Sequence, residues 1–111
     1  MRSISCDGKS IELDEDGYLT NLNDWSEGVA KMLATEDSLD LTDAHWEVIN
    51  FLRSYYQQYQ IAPMIKILVK EIKKTMGADK GNTKYLYQLF PDGPAKQACR
   101  YAGLPKPTGC V

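Results

Sequence analysis

Apolar residues recur along this chain with two different periods, which separate a short N-terminal hairpin from a series of helices. The first residues alternate between polar and apolar side chains on both sides of Asp7-Gly8, a dipeptide typical of a tight type I′ turn. This alternation predicts strands near residues 2–6 and 9–13. From residue 24 onward the apolar positions recur every three or four residues, as in helices that bury one face.

Five helices are predicted from this spacing and from the residues that begin and end each segment. Thr42 is a good N-cap for the second helix, Pro63 suits the first turn of the third, and Gly77 suits its end. The predicted helices span residues 24–37, 42–60, 63–77, 83–89 and 94–103. The sequence therefore predicts a mainly α fold, a small helical bundle with a helix-turn-helix-like core and an N-terminal β-hairpin.

The last eight residues, LPKPTGCV, have a different composition from the rest of the chain. Two prolines cannot extend a helix and favour a semi-rigid extended form, and chain ends carry few packing contacts. We therefore expect one helical domain over residues 1–103, which includes the hairpin at about 2–13, and a mobile C-terminal arm over residues 104–111.

Composition indicates a globular protein of the cytoplasm. Of the 111 residues, 43% are hydrophobic and 25% are charged, which is close to the average for soluble domains. The N-terminus lacks the apolar centre of a signal peptide, and no apolar run is long enough to span a bilayer. We therefore expect cytoplasmic localisation without membrane insertion.

Charge is divided unevenly between the two halves of the chain. Residues 1–62 hold 4 basic and 12 acidic side chains, whereas residues 63–111 hold 9 basic and 3 acidic ones. A basic half favours contact with an acidic protein face or, weakly, with nucleic acid. Six of its lysines form either a docking face around the arm or an ordinary solvated helix surface: Lys66, Lys70, Lys73, Lys74, Lys84 and Lys96.

A DNA-binding regulator is one alternative interpretation of this basic region. Residues 63–90 place a lysine-rich helix before a short glycine-containing connection and a second helix, which resembles a helix-turn-helix. The second helix carries Lys84 and Gln88 but no arginine. Packing of three helices alone produces the same pattern.

The three cysteines are better explained as thiols than as disulfides or metal ligands. Their number is odd, no C-x-x-C pair occurs, and the chain has one histidine, so a structural zinc site lacks ligands. Cys110 lies one residue from the C-terminus, where an exposed thiol is more readily explained by reactivity than by packing. Cys99 falls within the fifth helix and is either a small core residue or a second reactive thiol. The chain between them spans at most about 36–40 Å, so the arm can extend outward or fold back onto Cys99.

Three stretches of the chain carry a resemblance to a known family: DEDGYLTNLNDW at 14–25, LTDAHWEVINFLRSYYQQYQIAP at 41–63 and GNTKYLYQLFPDGPAKQACRYAGLPKPTGCV at 81–111. They resemble the DsrC/TusE family of sulfur carriers, which includes proteins similar to the gamma subunit of dissimilatory sulfite reductase. Together they cover essentially the whole chain. The resemblance implies a helical bundle with an N-terminal hairpin and a mobile C-terminal arm.

The resemblance also implies a function for the two C-terminal thiols. In this family the penultimate cysteine, here Cys110, receives and delivers sulfur, and a cysteine eleven positions earlier, here Cys99, marks the DsrC-like branch. The implied partners are the α and β subunits of dissimilatory sulfite reductase, sulfur-donor relay proteins and a membrane thiol–disulfide oxidoreductase complex. Siroheme is expected in the reductase, and no cofactor is expected in this chain. A TusE-like relay for thiolation of tRNA uridines is the alternative, although such members usually lack the earlier cysteine.

The expected chemistry is that of a sulfurtransferase-type carrier, a protein co-substrate rather than an independent turnover enzyme. Cys110 takes up a sulfane sulfur as a persulfide, and Cys99 is the resolving thiol that produces an internal disulfide, or a trisulfide that retains the sulfur. The C-terminal carboxylate disfavours the Cys110 thiolate, whereas Lys106 and Arg100 favour it when the arm folds back. The candidate binding residues are Lys84, Lys96, Arg100 and Lys106.

Overall fold

A computed structural model of the protein describes residues 2–107 and contains the hairpin at the predicted position. Strands β1 (Arg2–Cys6) and β2 (Lys9–Leu13) pair antiparallel, with Ile4 opposite Ile11. Both turn residues between the strands have positive φ, as a type I′ turn requires. The predicted strands are therefore confirmed.

Five α-helices follow the hairpin within the described residues, and they confirm the predicted fold class. They are α1 (Glu27–Glu36), α2 (Asp43–Tyr59), α3 (Ile65–Met76), α4 (Thr83–Leu89) and α5 (Pro94–Tyr101). Between residues 2 and 107, no helix has the length and apolar character needed to cross a membrane.

The start of α2 was predicted correctly and involves the single histidine. Thr42 is the N-cap, and its backbone N–H donates to Nδ1 of His45 at 3.0 Å. Nε2 of His45 lies 2.8 Å from the carbonyl oxygen of Leu89 at the end of α4. The buried imidazole therefore connects the start of α2 to the end of α4 through both ring nitrogens. His45 therefore has a structural role.

The predicted start of α1 at residue 24 was wrong. Residues 22–24 form a separate 3-10 turn, and Trp25 is extended, with φ −70° and ψ 144°. Ser26 then caps α1 by accepting the N–H of Val29 at 3.2 Å. Trp25 precedes the apolar residues of α1 by a helical spacing, but it is not part of that helix. Its side chain packs towards α5 instead.

The third and fifth helices are each shorter than predicted at one end. Met64, rather than a residue before Pro63, is the extended N-cap of α3, so Pro63 precedes the helix. Helix α5 ends at Tyr101, and Gly103 follows in the left-handed conformation with φ +73°. Gly103 is therefore not the last residue of α5, as predicted, but the residue at which the chain reverses after the helix.

Helix α5 lies at the centre of the fold and contacts α1, α2, α3 and α4. Four of the buried residues of α5 and its C-cap are small: Ala95, Ala98, Cys99 and Ala102. Small side chains at helical spacing allow neighbouring helices to approach closely, so α5 becomes the most enclosed helix. This position determines the environment of Cys99.

Candidate functional site

Cys99 is fully buried in the core of the bundle. Its relative exposure is 0%, and it lies on the alanine-rich face of α5. Burial raises the pKa of the Cys99 thiol to about 12, because a thiolate would lose its hydration there. At neutral pH this thiol is therefore almost entirely protonated. Cys99 is therefore a poor nucleophile in the closed fold.

We expect the reactivity of Cys99 to keep rising through the pH range in which an ordinary thiol levels off. In a Cys6→Ala/Cys110→Ser protein, alkylation by iodoacetamide should increase about tenfold per pH unit from pH 7 to 9.5, because the thiolate fraction grows tenfold per unit below the pKa. Mass spectrometry of quenched samples gives the rate. A plateau near pH 8.5 would show that burial does not raise this pKa.

Arg100, next to Cys99 in sequence, is held in a network of charges at the surface. Its guanidinium contacts Glu36 at 2.7 Å and Asp37 at 3.1 Å, and its Nε donates to the Gly17 carbonyl at 3.0 Å. Arg2 forms a second ion pair with Glu36 at 2.7 Å. The hydrogen bond from Arg2, with that from Arg100, lowers the pKa of Glu36 to about 2. The guanidinium of Arg100 is thus paired with two carboxylates of the fold.

Tyr101 extends this network beneath the surface. Its hydroxyl donates to Asp37 at 2.5 Å and accepts from Nε2 of Gln97 at 2.8 Å. Burial, followed by the bond to Asp37, raises the pKa of Tyr101 above its ordinary value. Tyr18 lies on the same side of α5, where its hydroxyl donates to the Lys96 carbonyl at 3.0 Å. The side of α5 that carries Arg100 and Tyr101 is therefore fixed by polar contacts.

The arm begins with a chain reversal that is packed against the body of the protein. Gly103 N–H donates to the Arg100 carbonyl at 3.2 Å, and Leu104 N–H donates to the Cys99 carbonyl at 3.0 Å, which is a Schellman-type helix end. Leu104 is 3% exposed, and Pro107 is also buried. The first residues of the arm therefore lie back along the bundle, with Leu104 next to the backbone of Cys99.

Two side chains from other parts of the fold hold this helix end. The indole N–H of Trp25 donates to the carbonyl of Tyr101 at 2.7 Å, and Nη1 of Arg53 donates to the carbonyl of Ala102 at 2.7 Å. The Arg53 guanidinium also stacks on the Trp25 ring, 3.7 Å from its centroid. We call this arrangement of two donors and two carbonyls the Trp25–Arg53 latch.

A polar groove with a volume of about 660 Å³ opens beside the latch. Both latch side chains line it, together with the first two residues after the α5 cap, Gly103 and Leu104. Amide side chains supply much of the remaining surface: Asn23, Asn50, Gln57 and Gln60. The groove therefore gives access to the base of the arm from outside the fold.

The structure brings three of the four candidate binding residues together, because Lys96 and Arg100 line one cleft with Asp16, the ion-pair partner of Lys106. Lys84 does not line this cleft. Lys84 on α4 and Lys96 on α5 are exposed, and the amine of Lys106 lies 3.5 Å from Asp16. Cys110 lies outside the described residues, as does the end of the arm, so the pairing of Cys110 with Cys99 and the mobility of residues 104–111 stay predictions. The candidate docking lysines on α3 are also exposed: Lys66, Lys70, Lys73 and Lys74.

Sequence reasoning missed the latch. Trp25 was assigned to the first helix, and Arg53 was not singled out. One signal was present in the sequence, because Arg53 is the only basic residue between Lys31 and Lys66. A lone arginine on a helix that otherwise lacks cations often has a specific partner, but the sequence does not identify a backbone carbonyl 49 residues away as that partner.

Comparisons of the sequence and of the structure with known proteins find similarity to the same group of proteins. A family profile described as "DsrC like protein" matches residues 5–111. A Haemophilus influenzae protein described as a sulfurtransferase TusE homolog is 51% identical over 108 residues, which are 97% of this chain and 99% of that protein.

Two solved structures share the fold over nearly their whole length. The Allochromatium vinosum DsrC structure has a TM-score of 0.91 and 62% identity, and the alignment covers 99% of this chain and 98% of that one. The oxidized gamma-subunit of the dissimilatory sulfite reductase (DsrC) from Archaeoglobus fulgidus has a TM-score of 0.85 and 47% identity, with coverage of 98% and 99%.

The fold and the cysteine-bearing C-terminal helix define a small helical protein of the sulfur-carrier class. The chain belongs to the DsrC-like family, which includes proteins named DsrC and TusE. The resemblance found in the sequence is thereby confirmed.

Proposed function

We propose that this protein carries sulfur as a persulfide on Cys110 and uses Cys99 as a second, resolving thiol. The observation that carries the proposal is the burial of Cys99 in α5 with a pKa of about 12. A thiol in this environment is protonated and inaccessible to a donor protein, so it cannot be the primary acceptor. In this proposal the acceptor is Cys110, which lies outside the described residues.

The proposed transfer takes place in two balanced steps. The Cys110 thiolate attacks the outer sulfur of a donor persulfide, the donor thiolate leaves, and Cys110 gains the sulfur without net oxidation. Cys99 then attacks the inner sulfur of the Cys110 persulfide, which forms a Cys99–Cys110 disulfide and releases hydrogen sulfide. The electrons that reduce the released sulfur come from the Cys99 and Cys110 sulfurs that become linked. The protein therefore acts as a co-substrate that a reductant must regenerate.

A dissimilatory sulfite reductase is the favoured partner. Two features support this choice: the presence of Cys99, and the 47% identity to a protein described as the gamma-subunit of that reductase. The cofactor chemistry would then belong to the reductase, while this chain supplies thiols. A sulfur donor and a thiol–disulfide oxidoreductase complete the proposed set of partners.

A TusE-like sulfur relay to tRNA uridines is the second candidate. The observation that favours it is the 51% identity to a protein described as a sulfurtransferase TusE homolog. A relay needs Cys110 to pass sulfur onward by repeated persulfide transfer and does not need Cys99. The two candidates therefore differ in their requirement for the buried thiol.

Transfer assays with the Cys99→Ala and Cys110→Ser proteins separate these two functions. If the protein serves the reductase, Cys99→Ala should bind the reductase but fail to form the internal link during sulfite turnover. If it serves as a relay, Cys99→Ala should still pass radiolabelled sulfur to tRNA in the presence of the thiolating enzyme. Transfer by Cys110→Ser at the wild-type rate in either assay would contradict both functions.

The exposed lysines lead to a prediction about docking. Reversal of charge in Lys84→Glu and Lys96→Glu should each slow association with the reductase several-fold at low salt, because steering by charge acts on the association rate. The effect should fade as salt approaches about 0.5 M, since screening shortens the range of the field. Stopped-flow binding measures both rates.

Lys31→Glu is the matched control for this prediction, because Lys31 is equally exposed but lies on α1 in the acidic half. It should change the association rate less than either reversal near the arm. Equal slowing by all three reversals would indicate an effect of net charge and would remove the docking role of Lys84 and Lys96.

A further inference from the structure

The last turn of α5 has an unusual dependence on side chains from outside the helix. The final carbonyls of any α-helix lack partners within the helix and need other donors or water. Here Tyr101 and Ala102 are both 0% exposed. Their carbonyls are therefore enclosed by protein, and the donors that satisfy them come from Trp25 and Arg53.

The geometry of the latch makes its two members support each other. The guanidinium of Arg53 lies 3.7 Å from the centroid of the Trp25 ring, so stacking fixes both side chains while each donates to a carbonyl at 2.7 Å. Gly103 packs against the same ring, since a Cβ atom added to it would lie 2.4 Å from Cδ1 of Trp25. The Trp25 side chain therefore contacts the helix end at two places, the carbonyl of Tyr101 and the backbone of Gly103.

The latch holds the backbone segment that directly follows Cys99 at the end of α5. The Cys99 carbonyl accepts the N–H of Leu104, and Tyr101 and Ala102 lie within three residues of Cys99. Unwinding of the last turn would break the bonds from Trp25 and Arg53 and would turn Cys99 away from the core.

We propose that Trp25 and Arg53 are positioning residues that keep the last turn of α5 closed and thereby control access to the Cys99 thiol. The inference depends on the proposed function for one point, which is the chemical role of the Cys99 thiol. The groove beside the latch makes both side chains reachable from outside, so a docked protein has direct access to the residues that hold the helix end closed.

The test measures Cys99 alone, in a Cys6→Ala/Cys110→Ser background, with iodoacetamide as the probe. Trp25→Phe removes one donor and keeps a ring, and Arg53→Met removes the other and keeps the aliphatic stem. Each should accelerate Cys99 alkylation at least about tenfold, because a buried carbonyl left without its donor favours the open state. Arg53→Lys should restore part of the protection, since an amine can still donate to the Ala102 carbonyl.

Dependence on urea distinguishes release of the latch from general loss of stability. Local opening exposes little surface, so its rate should hardly change at low urea concentrations, whereas labelling through global unfolding rises steeply. Trp46→Phe is the matched control, because it makes the same substitution in a half-buried residue of α2 that packs on the core.

The proposal predicts that the Trp46→Phe protein is labelled at the rate of the parent. Labelling of Trp25→Phe and Arg53→Met no faster than Trp46→Phe, or only with a steep urea dependence, would overturn it. Because Cys110 is absent from these proteins, the result does not depend on whether Cys110 carries sulfur. The experiment therefore distinguishes failure of the latch proposal from failure of the proposed carrier function.

Discussion

Cys110→Ser should abolish loading of sulfur onto this protein, whereas Cys99→Ser should still accept one sulfur atom from a persulfide donor. The reason is that the buried Cys99, with its pKa of about 12, offers almost no thiolate at neutral pH. Cys99→Ser should lose the internal link and form intermolecular dimers more readily, because its arm thiol then lacks a local partner. Intact-mass analysis with and without reductant reads each outcome.

Cys6→Ala is the control for this pair of variants, since Cys6 is a second buried thiol and has no assigned role. It should load and form the internal link as the wild type does. Loading of Cys110→Ser to the wild-type level would contradict the carrier function itself. Loss of loading in Cys99→Ser would instead show that the buried thiol takes part in the first step.

Gly103→Ala should destabilise the fold by about 3 kcal/mol and loosen the base of the arm. The left-handed φ of +73° costs an alanine about 1–2 kcal/mol. The new Cβ would also lie 2.4 Å from Trp25, so the indole must move, and such overpacking costs about 1–3 kcal/mol more. Urea unfolding monitored by circular dichroism measures the loss.

Gly8→Ala is the matched control that measures the conformational part of that effect without the steric part. Gly8 also has positive φ, at +79°, but a Cβ there would meet nothing within 4 Å. It should therefore show the conformational cost alone, about 1–2 kcal/mol. Equal losses in both variants would mean that the contact between Gly103 and Trp25 contributes nothing to stability.

Elements with strong local signals were predicted well from the sequence. The alternation around Asp7-Gly8 located both strands, Thr42 marked the start of α2, and the segment between Asn82 and Pro91 located α4. In each case the residues that specify the element lie within it or next to it. Local propensity and tertiary structure agree at these positions.

The errors occur at the beginnings of two helices, and at one of them a side chain makes a distant contact. Trp25 fits a helical period, yet a bond from its indole to Tyr101, 76 residues away, is compatible with an extended backbone before α1. Pro63 is well suited to a first helical turn, but the chain stays extended through Met64 before α3 begins. Periodicity alone cannot report contacts of this length.

The sequence identified the thiols of the candidate site, but it did not show which residues surround Cys99. Sequence left Cys99 with two interpretations, a core residue or a reactive thiol, and the structure shows that it is in the core. A reactive role at this position requires that the fold open around Cys99. The opening proposed above, at the end of α5, depends on the carbonyls bound by Trp25 and Arg53, which no sequence pattern near the cysteine indicates.

The close packing around α5 also limits how much cargo one molecule can hold. A persulfide on Cys99 would add a whole sulfur atom to a site that is 0% exposed and surrounded by helices, and filled cores resist added volume. Cys6 is likewise buried. In the proposed carrier the two buried thiols therefore add no storage site to Cys110, which leaves one sulfur-bearing thiol per chain in the closed fold. A pathway that uses this carrier would regulate its sulfur supply by the number of protein molecules rather than by how heavily each is loaded.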